Sequence, residues 1–579
     1  MKTIRITAVA FLLGISLYAH AQSWESAYEK SSEYTVESTT VCGRNATIIA
    51  PAVRNGKWIV RPAFMGAFPQ VDEALLEKGW TFGYIDLTDE YANPDAQKAF
   101  DAFYEYARSK YSLSEKLTLE GLSRGGWFSL VYAVNNPGRI DKLYLDAPLC
   151  DLNLFKERMG EAYGLVKEFW GKHGYEFEDI HNYPAKHIEN IRGIPTIVVY
   201  GAADEICRFE DQFGRLNLSG FEDLSLIGKT GCGHHPHSLS PCDTIVNFIT
   251  KPRALERADA TPKQAVAFEN YIDEVTSSGS DLHSIMVLRH GKVLFGKWLG
   301  EGAPEKPHKL FSCSKTFCAA AAGLAIDEGY FGLEDKVISF FPDKLPRKIS
   351  KNLKAMTVRD LLTMTGGHGS DPTWEAWKTD DWAKYFFSQP VEYTPGTAFC
   401  YNSIGTFLVS AIIQKTTGKK LTDYLEPRLF GPLGISGASW EESPDGICCG
   451  GWGLSLKTED MARMGQCLLD GGIWEGRQVI PAWWAKEMGK KQVESIPGGQ
   501  TPDRAAEFHT PEALASNDWC QGYGYQMWMC RHGAYRADGA SSQYIIVIPE
   551  KDAVIVTTAH DDNMQRVLDT IWKHILPVL

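Results

Sequence analysis

The sequence predicts two domains of different class: an α/β domain with a mostly parallel sheet, followed by an α+β domain whose antiparallel sheet surrounds a helical subdomain. Three observations lead there. Between about Ser38 and Thr250, short β-rich runs alternate with helical stretches, which implies parallel strands covered on both faces. After residue 264, strands gather at both ends of a helix-rich middle. The 579 residues also exceed the ~250–300 at which one hydrophobic core usually stops growing.

Taken in order, residues 1–21 open with a cationic Met1-Lys2-Thr3-Ile4-Arg5, continue through an apolar Ile6–Tyr18 and end in the A-x-A sequence Ala19-His20-Ala21. This pattern predicts a signal peptide cut before Gln22, with no Cys after the cut to carry a lipid, and hence a periplasmic or secreted protein. The apolar part is shorter than the ~20 residues of a membrane span. Residues 22–250 form the α/β domain, with strands in TIIAP, KWIVRP, TFGYIDL, KLTLEG, KLYLDA and TIVVYG and a helix in DAQKAFDAFYEYARSKY. The charged, proline-punctuated KPRALERADATPKQ, 251–264, carries no strand pattern and is expected to be a linker. The second domain, 265–579, begins with a helix near 263–277 and a hairpin in HSIMVLRHGKVLFGKWL, and ends in YIIVIPE, AVIVTTA and the helix MQRVLDTIWKHIL. There is no internal repeat, so the halves are not duplicates.

A net charge of -13 without a basic run argues against nucleic acid as a partner. The thirteen cysteines are odd in number and contain no C-x-x-C pair, so neither a disulfide framework nor a zinc knuckle is expected; most read as small buried hydrophobes.

The first chemical signal is KLTLEGLSRGGWFSLVYAV, a strand, then G-x-S-x-G-G, then a helix. Gly121 and Gly125 permit a sharp turn that lifts Ser123 from the sheet, and the N–H of Arg124 at the helix start is aimed at an oxyanion. The acid should follow in TIVVYGAADEI, as Asp204 or its neighbour Glu205. The base should come from KTGCGHHPHSL, with His234 favoured over His235, and a zinc-binding or structural histidine cluster as the bland alternative. Lys229-Thr230-Gly231 looks like a functional triplet but lacks the context of one, so no function is assigned to it. These residues resemble the α/β-hydrolase family over the first domain. The resemblance implies ester hydrolysis, often of acylated carbohydrate, with a second oxyanion donor from the loop Arg61-Pro62-Ala63-Phe64-Met65. Pro62 has no N–H to give, and the family's usual His-Gly pair is missing there.

The second signal is HKLFSCSKTFCAAAAGLAIDEGYFG, read as a helix beginning near Ser312. A spacing of three puts Ser312 and Lys315 on one face, beside each other as nucleophile and proton partner. Tyr401 in FCYNSIGTFLVSAII is expected to ionise more easily next to the lysine and act as general base, with Ser403 bonding to Lys315. Together with MTVRDLLTMTGGHG, PLGISG and GGWGLSLKTEDMARMGQ, these motifs resemble the serine β-lactamase-like family of class C β-lactamases, DD-peptidases, family VIII carboxylesterases and nylon-oligomer hydrolases. By that resemblance Ser312 is acylated, and the oxyanion hole takes the N–H of Ser312 and one near Ala540–Ser542. The family's K-T-G or H-x-G triplet appears here as Ala537-Asp538-Gly539. Loss of that cation, which holds a substrate carboxylate, argues against penicillins and peptidoglycan stems. Trp374, Trp377 and Trp382 fall where the family roofs its site, and at least two are expected to be ordinary packing residues.

The sequence therefore predicts an exported serine hydrolase using acyl-enzyme chemistry in both domains, on acylated glycan or small-molecule esters, with no cofactor. Acyl transfer to an alcohol, a non-catalytic binding role for one domain and β-lactamase or DD-peptidase activity are the alternatives.

Overall fold

The computed structural model describes residues 24–153 and 160–579, so the segment read as a signal peptide lies outside the described residues. The chain divides into two compact units, Met1–Lys251 with Glu475–Arg477, and Pro252–Trp474 with Gln478–Leu579.

The first unit is built on an eight-stranded sheet of β1 (Tyr34–Val41), β2 (Arg44–Pro51), β3 (Trp58–Arg61), β4 (Thr81–Ile85), β5 (Leu117–Leu122), β6 (Ile140–Asp146), β7 (Thr196–Gly201) and β8 (Leu224–Lys229). The order is β1-β2-β4-β3-β5-β6-β7-β8. β1 and β2 pair antiparallel and β2 joins β4 antiparallel, while every later pairing is parallel. The central strands are buried on both faces. The helix Pro94–Tyr111 shows how its sequence sets its limits: Asn93 caps it by accepting from Asp95 and Ala96 N–H, Pro94 sits in the first turn, and Ala96, Phe100, Phe103 and Ala107 form one buried stripe.

The second unit is centred on a six-stranded antiparallel sheet. Its strands are β9 (Asp281–Arg289), β10 (Lys292–Trp298), β16 (Trp528–Met529), β17 (Tyr535–Gly539), β18 (Gln543–Ile548) and β19 (Ala553–His560), in the order β10-β9-β19-β18-β17-β16. The short strands β11 (His308–Lys309), β12 (Ser439–Trp440) and β13 (Leu454–Leu456) form a separate small sheet, and β14 (Ile473–Trp474) pairs with β15 (Arg477–Gln478). Between the strand clusters, the helix Ser314–Asp327 is almost wholly buried and packs on the helix Ser403–Thr417. Its alanine run allows this close approach; a Cβ on Gly323 would lie 2.0 Å from the indole of Trp484, which donates to Ala319 O at 2.8 Å.

The stretch expected as a linker differs from expectation in its second half. Residues 256–258 run beside β10: Val293 N–H donates to Glu256 O at 2.8 Å, and Ala258 N–H to Val293 O at 3.0 Å. Pairing with a sheet edge needs only backbone groups, so it left no apolar alternation to read. The helix then starts at Pro262 under a capping box of Thr261 and Gln264. All thirteen cysteines are unpaired thiols; most are buried, and Cys42, at the β1–β2 turn, is exposed. Among the described residues no helix is long and apolar enough to cross a membrane.

Candidate active sites

In the first unit Ser123 ends β5 and precedes the helix Arg124–Asn135 with φ 50 and ψ -115. A left-handed φ on a residue with a Cβ costs about 1–3 kcal/mol and persists only where the surroundings fix it. Ser123 N–H donates to Asp146 O at 2.9 Å, and Ser123 O accepts from Gly126 and Leu149 N–H at 2.9 and 3.0 Å. The glycines let these backbones approach: a Cβ on Gly121 would stand 2.7 Å from Gly126 Cα, and one on Gly126 2.5 Å from Pro148 Cβ.

His234 Nε2 lies 2.9 Å from Ser123 Oγ, and its Nδ1 lies 2.8 Å from Asp204 Oδ2. Asp204 Oδ1 accepts from the N–H of Ile206 and Cys207 at 2.7 and 2.9 Å. Burial pushes the Asp204 carboxyl up, but the hydrogen bond from His234 and these amides outweigh it and hold it below the usual range. A charged Asp204 fixes the tautomer that leaves Nε2 free to take the Ser123 proton.

His235 stacks on Phe68, and His237 Nδ1 is 2.8 Å from the buried Asp146. The three imidazoles are spaced closely enough to hold a metal ion, yet both ring nitrogens of His234 are already committed to Ser123 and Asp204. Lys229, left without a role by the sequence, bonds the carbonyls of Pro236 and Ser238 at 2.5 and 3.2 Å and so anchors the histidine loop. The backbone N–H of Arg124 opens its helix and has no helical acceptor by position, while the guanidinium pairs with Asp89.

Sequence reasoning missed Arg61. Its buried guanidinium binds Asp72 at 2.6 Å and Glu120 at 2.8 Å, and reaches the carbonyls of Phe64 and Ala67 at 3.1 and 2.5 Å. This clamps the loop after β3 that faces the elbow: a Cβ on Gly125 would lie 3.2 Å from Ala63 Cβ. Its partners are 11 and 59 residues away, so no local pattern announced it.

In the second unit Ser312 lies in a 3₁₀ turn, Phe311–Cys313, that runs straight into the α-helix beginning at Ser314, as the sequence predicts. Phe311 has φ 48, and the Ser314 hydroxyl donates to Phe311 O at 2.6 Å, closing the turn before the helix can start. Lys315 Nζ still reaches Ser312 Oγ at 2.9 Å, Ser403 Oγ at 2.9 Å and Gly451 O at 2.7 Å. Burial brings the Lys315 amine down to about 7, against an upward pull led by Asp371.

Tyr401 packs beside it, with Lys315 Nζ 4.8 Å from the ring centre, and stacks on Trp528. Burial pushes its phenol up, with the hydrogen bond to Ser312 acting in the opposite sense. The direction is the reverse of the easier ionisation expected of Tyr401, because burial penalises the phenolate and the carboxylates of Asp538 and Asp371 add to that penalty.

Gly539 lets β17 meet the nucleophile turn: a Cβ there would stand 2.2 Å from Leu310 O and 3.2 Å from Cys313 N. Beyond it Ser541 and Ser542 turn with φ 60 and 69, in the stretch expected to supply the second oxyanion donor. Ala537 lies on β17, and Asp538 accepts from the buried Arg536 at 2.8 Å. Of the three tryptophans, only Trp382 packs inside; Trp374 and Trp377 are 70% and 58% exposed and form an edge-to-face pair, contrary to the expectation of two packing residues.

Comparison with known proteins adds relatives for the second unit. A family model described as Beta-lactamase matches residues 283–577. The 6-aminohexanoate-dimer hydrolase of Paenarthrobacter ureafaciens is 26% identical over 326 residues, covering 53% of this chain and 78% of that protein. A Beta-lactamase of Escherichia coli strain K12 is 24% identical over 346 residues, covering 50% of this chain and 87% of its own length. Among solved structures, a putative 6-aminohexanoate-dimer hydrolase from Bacillus anthracis superposes with a TM-score of 0.44 at 18% identity, covering 57% of this chain and 87% of that one.

Proposed function

The chain belongs to the beta-lactamase family, and on that premise we propose that it is an exported esterase or deacylase that forms acyl-enzymes at both Ser312 and Ser123. The observation that carries the reading is the Lys315 amine, brought to about 7 by burial and 2.9 Å from Ser312 Oγ. As a neutral amine it keeps two N–H bonds, which match the acceptors Ser403 Oγ and Gly451 O, and turns its lone pair to the Ser312 hydroxyl. Ser312 then attacks the carbonyl carbon, its proton passes to Lys315 and on to the leaving alcohol, and water releases the acid. The phenol of Tyr401 stays protonated and is a hydrogen-bond partner of the reacting oxygen rather than the first proton acceptor.

An ester is favoured over a penicillin-type carboxylate because Ala537 supplies no charge and Asp538 is neutralised by Arg536. The name of the first relative above adds an amide as the competing bond class. At Ser123 the reading rests on the Asp204–His234–Ser123 hydrogen-bond chain and on a strand order and elbow that resemble the α/β-hydrolase family. Transfer of the acyl group to an alcohol is the second reading, supported by the exposed Trp374–Trp377 pair as a platform for an acceptor.

Fluorophosphonate labelling with adducts mapped by mass spectrometry, in wild type, Ser123→Ala and Ser312→Ala, tests it. Adducts at both serines are expected; an adduct at one alone removes the other domain from the proposal. Ester, 6-aminohexanoate-dimer and cephalosporin substrates, with and without glycerol, then rank the reactions.

A further inference from the structure

The second unit holds a cavity of about 250 Å³ whose lining includes three histidines, His283, His308 and His560. His283 belongs to β9 and His308 to β11, and His283 Nδ1 faces His308 Nε2 at 2.8 Å. Their outer nitrogens are each held by a group that only accepts: His283 Nε2 by the Asp281 carboxylate at 3.2 Å, and His308 Nδ1 by the carbonyl of Lys309 at 3.1 Å. An imidazole that gives its one N–H outward keeps a bare lone pair on the other nitrogen. With both N–H groups turned outward, the two lone pairs meet at 2.8 Å. That contact is repulsive unless a positive charge lies between them.

We propose that His283 Nδ1 and His308 Nε2 are ligands of a borderline divalent cation of the zinc type. A carboxylate or backbone carbonyl on the far ring nitrogen is the arrangement that orients metal-binding histidines, and imidazole is the ligand this class of ion prefers. Opening the pair by roughly half an ångström would suit two of the ~2.0–2.1 Å bonds of a tetrahedral ion. His560, opposite Asp281 in the β19–β9 register and with its ring centre 6.4 Å from that of His283, is the third imidazole at the cavity. The cavity's Lys306 is paired with Glu301, which tempers its repulsion of a cation. The bound ion would tie β9 to β11, and β11 leads through Leu310 and Phe311 directly into the Ser312 turn. The site would thus brace the nucleophile segment from behind without touching substrate.

The full chain, stripped with chelator and exchanged into metal-free buffer, is titrated with cobalt(II) and then zinc(II). The expected result is the visible absorption of four-coordinate cobalt with histidine ligands, displaced by zinc, and a higher melting temperature with zinc. His308→Gln and His283→Asn should each lose that spectrum and the thermal response, whereas His235→Ala should keep both. Asp281→Asn should weaken binding by about 10- to 100-fold. Circular dichroism certifies each variant, and either histidine alone decides the matter if the other variant does not fold. Absence of uptake by the wild type, equal uptake by both histidine variants, or loss only in His235→Ala would overturn the proposal, leaving a shared proton or the other histidine cluster.

Discussion

Lys315 sets the pH response of the second site. Burial carries its amine from 10.5 to about 7, and a displacement of that size corresponds to about 5 kcal/mol of preference for the neutral form. Only the neutral form can take the Ser312 proton, so acylation should rise about tenfold per pH unit up to about 7 and level off above it. An ordinary lysine would keep rising through the whole neutral range. Stability follows the same group with a definite sign. Because the folded value is depressed, the unfolded chain holds a proton that the folded chain lacks between about 7 and 10.5. Stability therefore increases with pH across that window, and the full cost of burying the amine is felt below it. The assay is kcat/KM for a chromogenic ester from pH 5 to 9 in a Ser123→Ala background, which silences the first site. Lys315→Met should remove the rising limb and lower the plateau by about 10²- to 10⁴-fold, the usual worth of a general base. A flat profile, or a limb still rising at pH 9, would refute Lys315 as the proton acceptor.

Three further outcomes are expected. Asp204→Asn in a Ser312→Ala background should cut turnover at Ser123 by about 10⁴-fold with little change in KM, since it favours the wrong tautomer of His234. Gly539→Ala forces a Cβ to within 2.2 Å of Leu310 O, so fluorophosphonate labelling should fail at Ser312 and persist at Ser123. Arg61→Met strands the buried Asp72 and Glu120 and should cost about 3–5 kcal/mol, read as a lower denaturation midpoint.

Much of this was legible in the chain because the signals were local. The strand-elbow-helix around Ser123 and the three-residue spacing of Ser312 and Lys315 lie within short runs of sequence, and from β3 to β6 the strands of the first unit alternate with helices. What escaped was non-local or energetic. Arg61 meets Glu120 across the sheet, the His283–His308 pair joins two strands from separate sheets, and residues 256–258 follow a sheet edge through backbone bonds, with Glu256 also paired to Lys292 of that strand. The upward push on Tyr401 depends on how completely its surroundings exclude water, which composition does not encode. The exposure of Trp374 and Trp377 likewise depends on what packs around them in three dimensions.

The thirteen thiols carry a practical consequence. The ten buried ones fill space as small apolar side chains. The exposed Cys42, seated on the hairpin turn between β1 and β2, is a ready point of attachment for a dye or a surface on the first unit.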